Sequence, residues 1–171
     1  MKKILIFLFI FIHIFLFSQE MTTYYEINGY YQINYPSSWS VSENLDNNNQ
    51  VSFYPQNESM VSGVIFVNLN IKSDAKYILE KTLKYLGITN IGDSHIFTED
   101  ELTKWNADSG SSVLFNMNQY EIDYRCILII FTKETFYYSL MFVITASYIN
   151  ENQEDAFEIV YNITNSFKIL K

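Results

Sequence analysis

Beyond position 18 the chain holds one histidine, one cysteine, a short serine run and several acidic clusters, and these are the residues whose types could do chemistry. A serine–histidine–acid relay needs an imidazole held between a nucleophile and a carboxylate, and a zinc centre needs three or four nitrogen or sulfur ligands. His95 has no second histidine and no cysteine near it in sequence. It reads as an isolated surface or turn residue, with a hydrolase built on His95 and a nearby acid as the remote alternative. Cys126 lies between Arg125 and Ile127, and strand alternation groups it with Ile122, Tyr124, Leu128 and Ile130. A reactive thiolate needs an exposed, electropositive setting, so this pattern describes a buried thiol.

Ser109-Gly110-Ser111-Ser112 fits neither the phosphate-loop spacing nor the glycine–serine–glycine elbow, and reads as a turn. Glu43, Asp46, Asn48 and Gln50 offer oxygen atoms to calcium. An EF-hand loop counted from Asp46 would need Gly and an acid where Val51 and Asn57 stand. Glu99-Asp100-Glu101 and the Glu151, Glu154, Asp155 group supply carboxylates in number, but paired-carboxylate catalysis depends on their separation in space. No cofactor, metal ion or catalytic set is expected from these residues.

Aromatics are the unusual feature. All 14 tyrosines lie beyond residue 18. Tyrosine offers a large amphipathic surface at low entropic cost, and tryptophan is enriched at binding hot spots. Tyr24, Tyr30, Trp39 and Tyr137 are the candidate partner contacts. The competing reading is cross-strand packing for the tyrosines and a plug at the core's edge for Trp39.

The elements that must carry these side chains alternate with clear turn signals. Tyr24–Ile27 and Tyr30–Tyr35 are β-rich runs joined by Asn28-Gly29, a pair that tolerates the positive φ of a tight hairpin. Trp39–Val41, Val51–Phe53 and Gly63–Ile71 continue the strands, the last with Ile65, Val67, Leu69 and Ile71 on one face and Asn68 and Asn70 on the other. Ser73 is placed to cap a helix with Ala75, Ile78, Leu79, Leu83 and Leu86 at helical spacing, ended by Gly87. Ser94–Thr98 reads as a short strand, followed by an acidic turn at Glu99-Asp100-Glu101. Ser112–Met117, Glu121–Phe131 and Thr135–Ala146 are strong strands, with Thr132-Lys133-Glu134 turning the last hairpin. Ile127–Phe131 and Leu140–Ile144 are apolar on both faces, so the sheet centre must be covered twice. A final helix from about Asn150 buries Ala156, Ile159, Val160, Ile163 and Phe167, and its early acids suit the positive end of the helix dipole. The expected class is α+β: an antiparallel β-sheet flanked by helices on both faces, an α/β/α sandwich.

The first residues belong to a different kind of segment. Lys2 and Lys3 precede an apolar run from Ile4 to Phe17, broken only by His13, and Ser18 is a small residue at the expected cut. That is the layout of a secretory signal peptide, too short to be a membrane-spanning helix. Residues 1–18 are therefore expected to be removed, leaving one domain over 19–171, exported to the periplasm or the exterior, with no stable membrane insertion after cleavage. This domain carries 9 basic and 19 acidic side chains, a formal charge of −10. Nucleic acid is a poor partner for such a surface, because phosphate binding requires lysine and arginine. A lone cysteine excludes an internal disulfide, which suits a bacterial envelope better than a disulfide scaffold.

Tyr35-Pro36-Ser37-Ser38-Trp39-Ser40-Val41, reached through a hairpin, resembles the tyrosine–proline–x–x–tryptophan motif of PsbP-like domains, a family related to the Mog-like proteins. Phe136-Tyr137-Tyr138-Ser139-Leu140 and the terminal Asn165-Ser166-Phe167-Lys168-Ile169 are similar to the family's last strand and closing serine–phenylalanine element. The resemblance spans residues 24–170. It implies an antiparallel sheet between helices and a non-enzymatic role in binding or helping to assemble protein complexes. An unidentified envelope protein is the partner so implied, with a small-molecule or lipid-binding module using an aromatic-lined pocket as the alternative. No residue indicates a photosystem role.

Overall fold

The Asn28-Gly29 turn forms as its sequence requires, with Gly29 at φ 72°. Glu26, only 3 % exposed, closes it by accepting hydrogen bonds from the backbone N–H groups of Asn28 and Tyr30 and from the Asn28 amide. A carboxylate saturated by donors is the form in which such a group can be buried. The turn joins β1 (Met21–Tyr25) to β2 (Tyr31–Pro36). The structure, a computed structural model, describes residues 20–44, 50–56, 61–69, 73–89, 91 and 93–171. The expected signal peptide, Asp46 and Asn48 of the acidic loop, and Asn70 and Ile71 lie outside the described residues.

From Trp39 onward the chain builds a second, larger antiparallel sheet. Its strands are β3 (Trp39–Asn44), β4 (Gln50–Pro55), β5 (Ser62–Leu69), β6 (His95–Ile96), β7 (Ser109–Gln119), β8 (Ile122–Lys133) and β9 (Phe136–Thr145), in the order β3-β4-β5-β9-β8-β7-β6. The long β7–β8–β9 meander thus folds back so that β9 pairs with β5, Leu140 opposite Ile65 and Ser139 opposite Phe66. The first hairpin stays apart in a smaller sheet, β1-β2-β10, where β10 (Lys168–Ile169) brings the C-terminus beside β2.

Alternation along β8 divides the core into two. Cys126, Leu128 and Ile130 meet Ala75, Ile78, Leu79 and Leu83 of α1 (Ala75–Tyr85) on one face. Ile129 and Phe131, with Leu140, Phe142 and Ile144 of β9, meet Ala156, Val160 and Ile163 of α3 (Ala146–Ser166) on the other. That second core also takes in Tyr31, Ile33 and Ile169 of the small sheet and Leu102 and Trp105 of α2 (Glu99–Trp105). Burying each such large apolar side chain contributes about 1.5–3 kcal/mol before the entropy of ordering it. The class is α+β, an antiparallel sheet flanked by helices.

Local signals set the helix ends. Asp74, one residue beyond the expected Ser73, caps α1 by accepting from the Tyr77 N–H, while Ser109 Oγ accepts from the Ala75 N–H at 3.0 Å. Glu99-Asp100-Glu101 is the first turn of α2 and not a free turn, because Thr98 and Glu101 form a reciprocal capping box. The terminal helix starts at Ala146, earlier than expected, and contains non-helical backbone at Asn152. It ends at Ser166, so Lys168-Ile169 is a strand, not the helix's last turn.

Two packing details make predictions. A Cβ at Gly110 would lie 2.6 Å from Phe97 Cδ2, 2.9 Å from Leu102 Cδ2 and 3.1 Å from Phe131 Cδ1. Gly110→Ala is therefore expected to cost about 1–3 kcal/mol in chemical denaturation, the usual effect of overpacking. At the β8–β9 turn, Asp108 accepts from the Glu134 backbone N–H at 2.7 Å and from Lys133 Nζ at 3.0 Å, with Glu134 at φ 53°. Partial burial pushes the Asp108 carboxyl upward, but the Glu134 N–H and the Lys133 ammonium together outweigh it and hold it below the usual range. A depressed folded-state value means stability present above the unfolded carboxylate pKa, about 3.9, and lost as pH falls through the folded value. Thermal melts should show Asp108→Asn destabilised at neutral pH and equal to the unsubstituted chain in strong acid.

Candidate functional site

Among the described residues, the chemistry-bearing side chains do not assemble into a reactive centre. His95 is exposed on β6, with its ring edge-on to Phe97 at 5.0 Å and its Nε2 3.4 Å from Glu101 Oε1. The Glu101 carboxyl is held below its usual range, chiefly by the Thr98 backbone N–H and hydroxyl and least by His95, so it serves the α2 cap. The nearby Ser111 hydroxyl donates to the His95 backbone carbonyl at 3.0 Å. A relay would need that hydroxyl on the imidazole ring. Cys126 is fully buried, and burial raises its thiol pKa to about 11, which leaves it a neutral apolar filler. Ser109 Oγ is shared between the Ala75 N–H and Thr132 Oγ1. No group of three or more His, Cys, Asp or Glu side chains is arranged to hold a metal among the described residues.

The four aromatic candidates separate. Trp39 is 6 % exposed and belongs to the core beneath α3. Tyr24 lies half-buried against Phe53, ring centres 5.5 Å apart, and donates to Glu43 Oε1 at 2.7 Å; desolvation, then the Glu43 hydrogen bond and charge, raise its phenol pKa. Tyr30 packs on Phe136 at 5.2 Å, with the Lys171 ammonium 5.5 Å from its ring centre. Tyr137 is elsewhere, on the α1 side of the large sheet. It accepts from Asn68 Nδ2 at 2.7 Å, and burial raises its pKa against that hydrogen bond, so it stays protonated.

Tyr137 borders an open strip of the large sheet. A helix is about 10 Å across and strands about 4.8 Å apart, so one helix covers roughly two strands. On its face of the sheet α1 packs on β7 and β8. On that face no described helix covers β9, β5 and β4; β5 presents half-buried Val64 and Phe66, β9 presents half-buried Met141 and Val143, and β4 presents Gln50 and Ser52. Two adjoining hollows of about 610 and 910 Å³ run along this strip. Both are lined by Phe66, Leu86 and Met141, which makes them one trough.

Its wall is a stripe on α1, Tyr77, Lys81 and Tyr85, with Tyr85 91 % exposed. The Lys81 ammonium sits 5.0 Å from the Tyr77 ring centre, and among the described residues it forms no ion pair. Lys76, Lys81 and Lys84 against Glu80 make α1 basic in a chain of net charge −8. The trough therefore offers an apolar floor with one lysine, Lys81, on its wall. Sequence reading found Tyr137 but missed Phe66, Met141 and Leu86. Phe66 and Val64 share a face with Asn68, and apolar side chains on the polar side of a strand were the available signal.

Among the described residues no helix is long and apolar enough to cross a membrane. No family model and no curated protein matches the sequence. Solved structures do resemble it. A protein from Bacteroides thetaiotaomicron, known from a 1.50 Å crystal structure, superposes with a TM-score of 0.61 at 12 % identity over 90 % of this chain. This chain spans only 49 % of that protein. Cyanobacterial PsbP (CyanoP) from Synechocystis sp. PCC 6803, known from a solution structure, superposes with a TM-score of 0.62 at 9 % identity, covering 88 % of this chain and 93 % of its own. At such identities the likeness is one of fold: the molecule has the sandwich architecture of cyanobacterial PsbP.

Proposed function

We propose that this chain is an exported binding domain that performs no chemistry and engages another envelope protein through the trough beside α1. The carrying observation is the strip over β9 and β5, where apolar side chains line a continuous trough that no described helix covers. An amphipathic segment laid there would bury its apolar side on Phe66, Met141 and Leu86, the helix-in-groove mode of recognition. Charge selects the partner. Lys81 on the trough wall favours an acidic residue on the flank of that segment, and the acidic remainder of the chain repels other polyanions. Export follows from reading residues 1–18 as a cleaved leader, and on that reading the partner is met in the periplasm or outside the cell.

The test is affinity capture from envelope extract with the unsubstituted chain and with Lys81→Glu. One stoichiometric protein, lost on charge reversal while the thermal melt is unchanged, is the expected result. Recovery of no stoichiometric protein, or equal recovery by Lys81→Glu, would overturn the reading. A second reading has its own observation: the 610 Å³ hollow lies within the size range of small-ligand sites and is lined by Phe66, Tyr77, Tyr137 and Met141. A lipid or other small amphiphile co-purifying with the chain and displaced on heating would favour it over the protein partner.

A further inference from the structure

Arg125 is the chain's only arginine, against ten lysines. It stands on β8 facing the α3 side of the sheet, half-buried, opposite Asn116 of β7 and Ile144 of β9. Its guanidinium carbon lies 6.0 Å from the centre of the Phe157 ring on α3. Such a ring favours a planar cation above it and fixes the plane of the fork. The Nε is buried and meets no hydrogen-bond acceptor. Among the described residues the ion pairs are His95–Glu101 and Lys133–Asp108, so no carboxylate neutralises Arg125. A buried donor left unpaired is costly, and more so on a charged group.

This guanidinium borders a hollow of about 510 Å³ between the β7–β8 hairpin and the start of α3. Asn116, Asn118 and Asn150 supply amides to its lining, and Ala146 and Ile149 supply apolar surface, while Met117 and Tyr124 pack toward the α1 core. Asp123 is also present, and its Oδ1 accepts from Asn118 Nδ2 at 2.8 Å. Arg125 stands on the α3 side of the sheet, but the hollow shares Asn116, Met117, Asn118 and Tyr124 with the larger half of the trough beside α1, so the two adjoin at the β7–β8 hairpin.

We infer that the Arg125 hollow is a binding site for a small molecule carrying a single carboxylate on an apolar body. The planar fork matches a carboxylate's two oxygens, the amides satisfy its remaining lone pairs, and Ala146 and Ile149 receive the body. Asp123 at the edge repels a dianion more than a monoanion, which disfavours phosphate in a chain already at −8.

The single arginine makes the test direct, because the chain gives one Arg Nε–Hε cross-peak in a ¹H–¹⁵N spectrum. Titration with hexanoate should shift that peak saturably, together with the Asn116 and Asn150 side-chain amides, while hexylamine and inorganic phosphate leave all three in place. Arg125→Gln should weaken hexanoate binding, followed on the asparagine amides, by about tenfold or more. Arg125→Lys, which keeps the charge without the fork, should also lose affinity while its spectrum shows the native fold. An Nε–Hε peak indifferent to hexanoate, an equal response to phosphate, or unchanged binding by Arg125→Gln would overturn the inference.

Discussion

Phe131→Ala is expected to lower the unfolding free energy by about 3–5 kcal/mol, the cost of truncating a fully buried aromatic. Phe131 is 0 % exposed and sits where four elements converge. Its ring stacks on Phe97 at 5.6 Å and on Phe167 at 5.7 Å, and meets Trp105 of α2 at 4.8 Å. Phe167 in turn contacts Tyr31 of the small sheet at 5.4 Å and Tyr138 of β9 at 5.9 Å. The cavity left at position 131 could not collapse easily, because Trp105 is anchored from its other side by a buried 2.8 Å hydrogen bond from Nε1 to the Thr164 carbonyl. Domains of this size are stable by about 5–15 kcal/mol, so one substitution removes a large share. The midpoint of thermal unfolding should fall by roughly 6–20 °C. Tyr161→Ala, at a position 67 % exposed on α3, should change stability by no more than about 0.5 kcal/mol and serves as the control.

Met141→Asp is expected to have the largest effect on binding, a loss of about thirtyfold in affinity for the captured partner, the scale of a hot-spot residue. Met141 lines both halves of the trough and faces the α1 side between Val64 and Leu128 in register. A thioether adapts to an apolar guest, whereas a carboxylate would have to lose its hydration against that guest. Because Met141 is only partly buried in the free chain, the fold should lose no more than about 1 kcal/mol. Binding that falls while the melt hardly moves separates a contact role from a folding role.

The layered fold was legible where apolar runs were long. Ile127–Phe131 and Leu140–Ile144 announced a sheet covered on both faces; α1 and α3 cover β8 from its two sides, while on β9 only the α3 side is covered by a described helix. Asn28-Gly29 announced its hairpin, and Gly87, at φ 72°, ends α1. What stayed hidden was non-local. Ile169 pairing with Tyr31 is a contact between the two ends of the chain, which no local periodicity encodes. The α2 helix was hidden for a different reason: its Thr98-x-x-Glu101 capping box was present, but only seven residues follow, too few for a helical stripe to declare itself. The trough was half legible. Tyr137 was singled out as a contact, but the openness of its surroundings depends on α1 sitting over β7 and β8, and that placement is a matter of packing between distant segments.

Trp39 carries the complementary lesson. The sequence left it open between a hot-spot contact and a plug at the core's edge, and it lies within the core beneath α3, opposite Pro55 in the β3–β4 pairing. An aromatic following a turn closes a core edge as readily as it meets a partner. Exposure separates the two roles, and exposure is a property of the folded chain.

The claim that the face beside α1 is the contact surface can be tested one position at a time. A photo-activated crosslinking residue placed at Tyr85, 91 % exposed on the trough wall, and separately at Tyr161, on the outer side of α3, samples the two faces of the sandwich in living cells. One adduct of defined mass is expected from position 85 and none from position 161. Adducts from position 161 alone, or the same adduct from both positions, would contradict it.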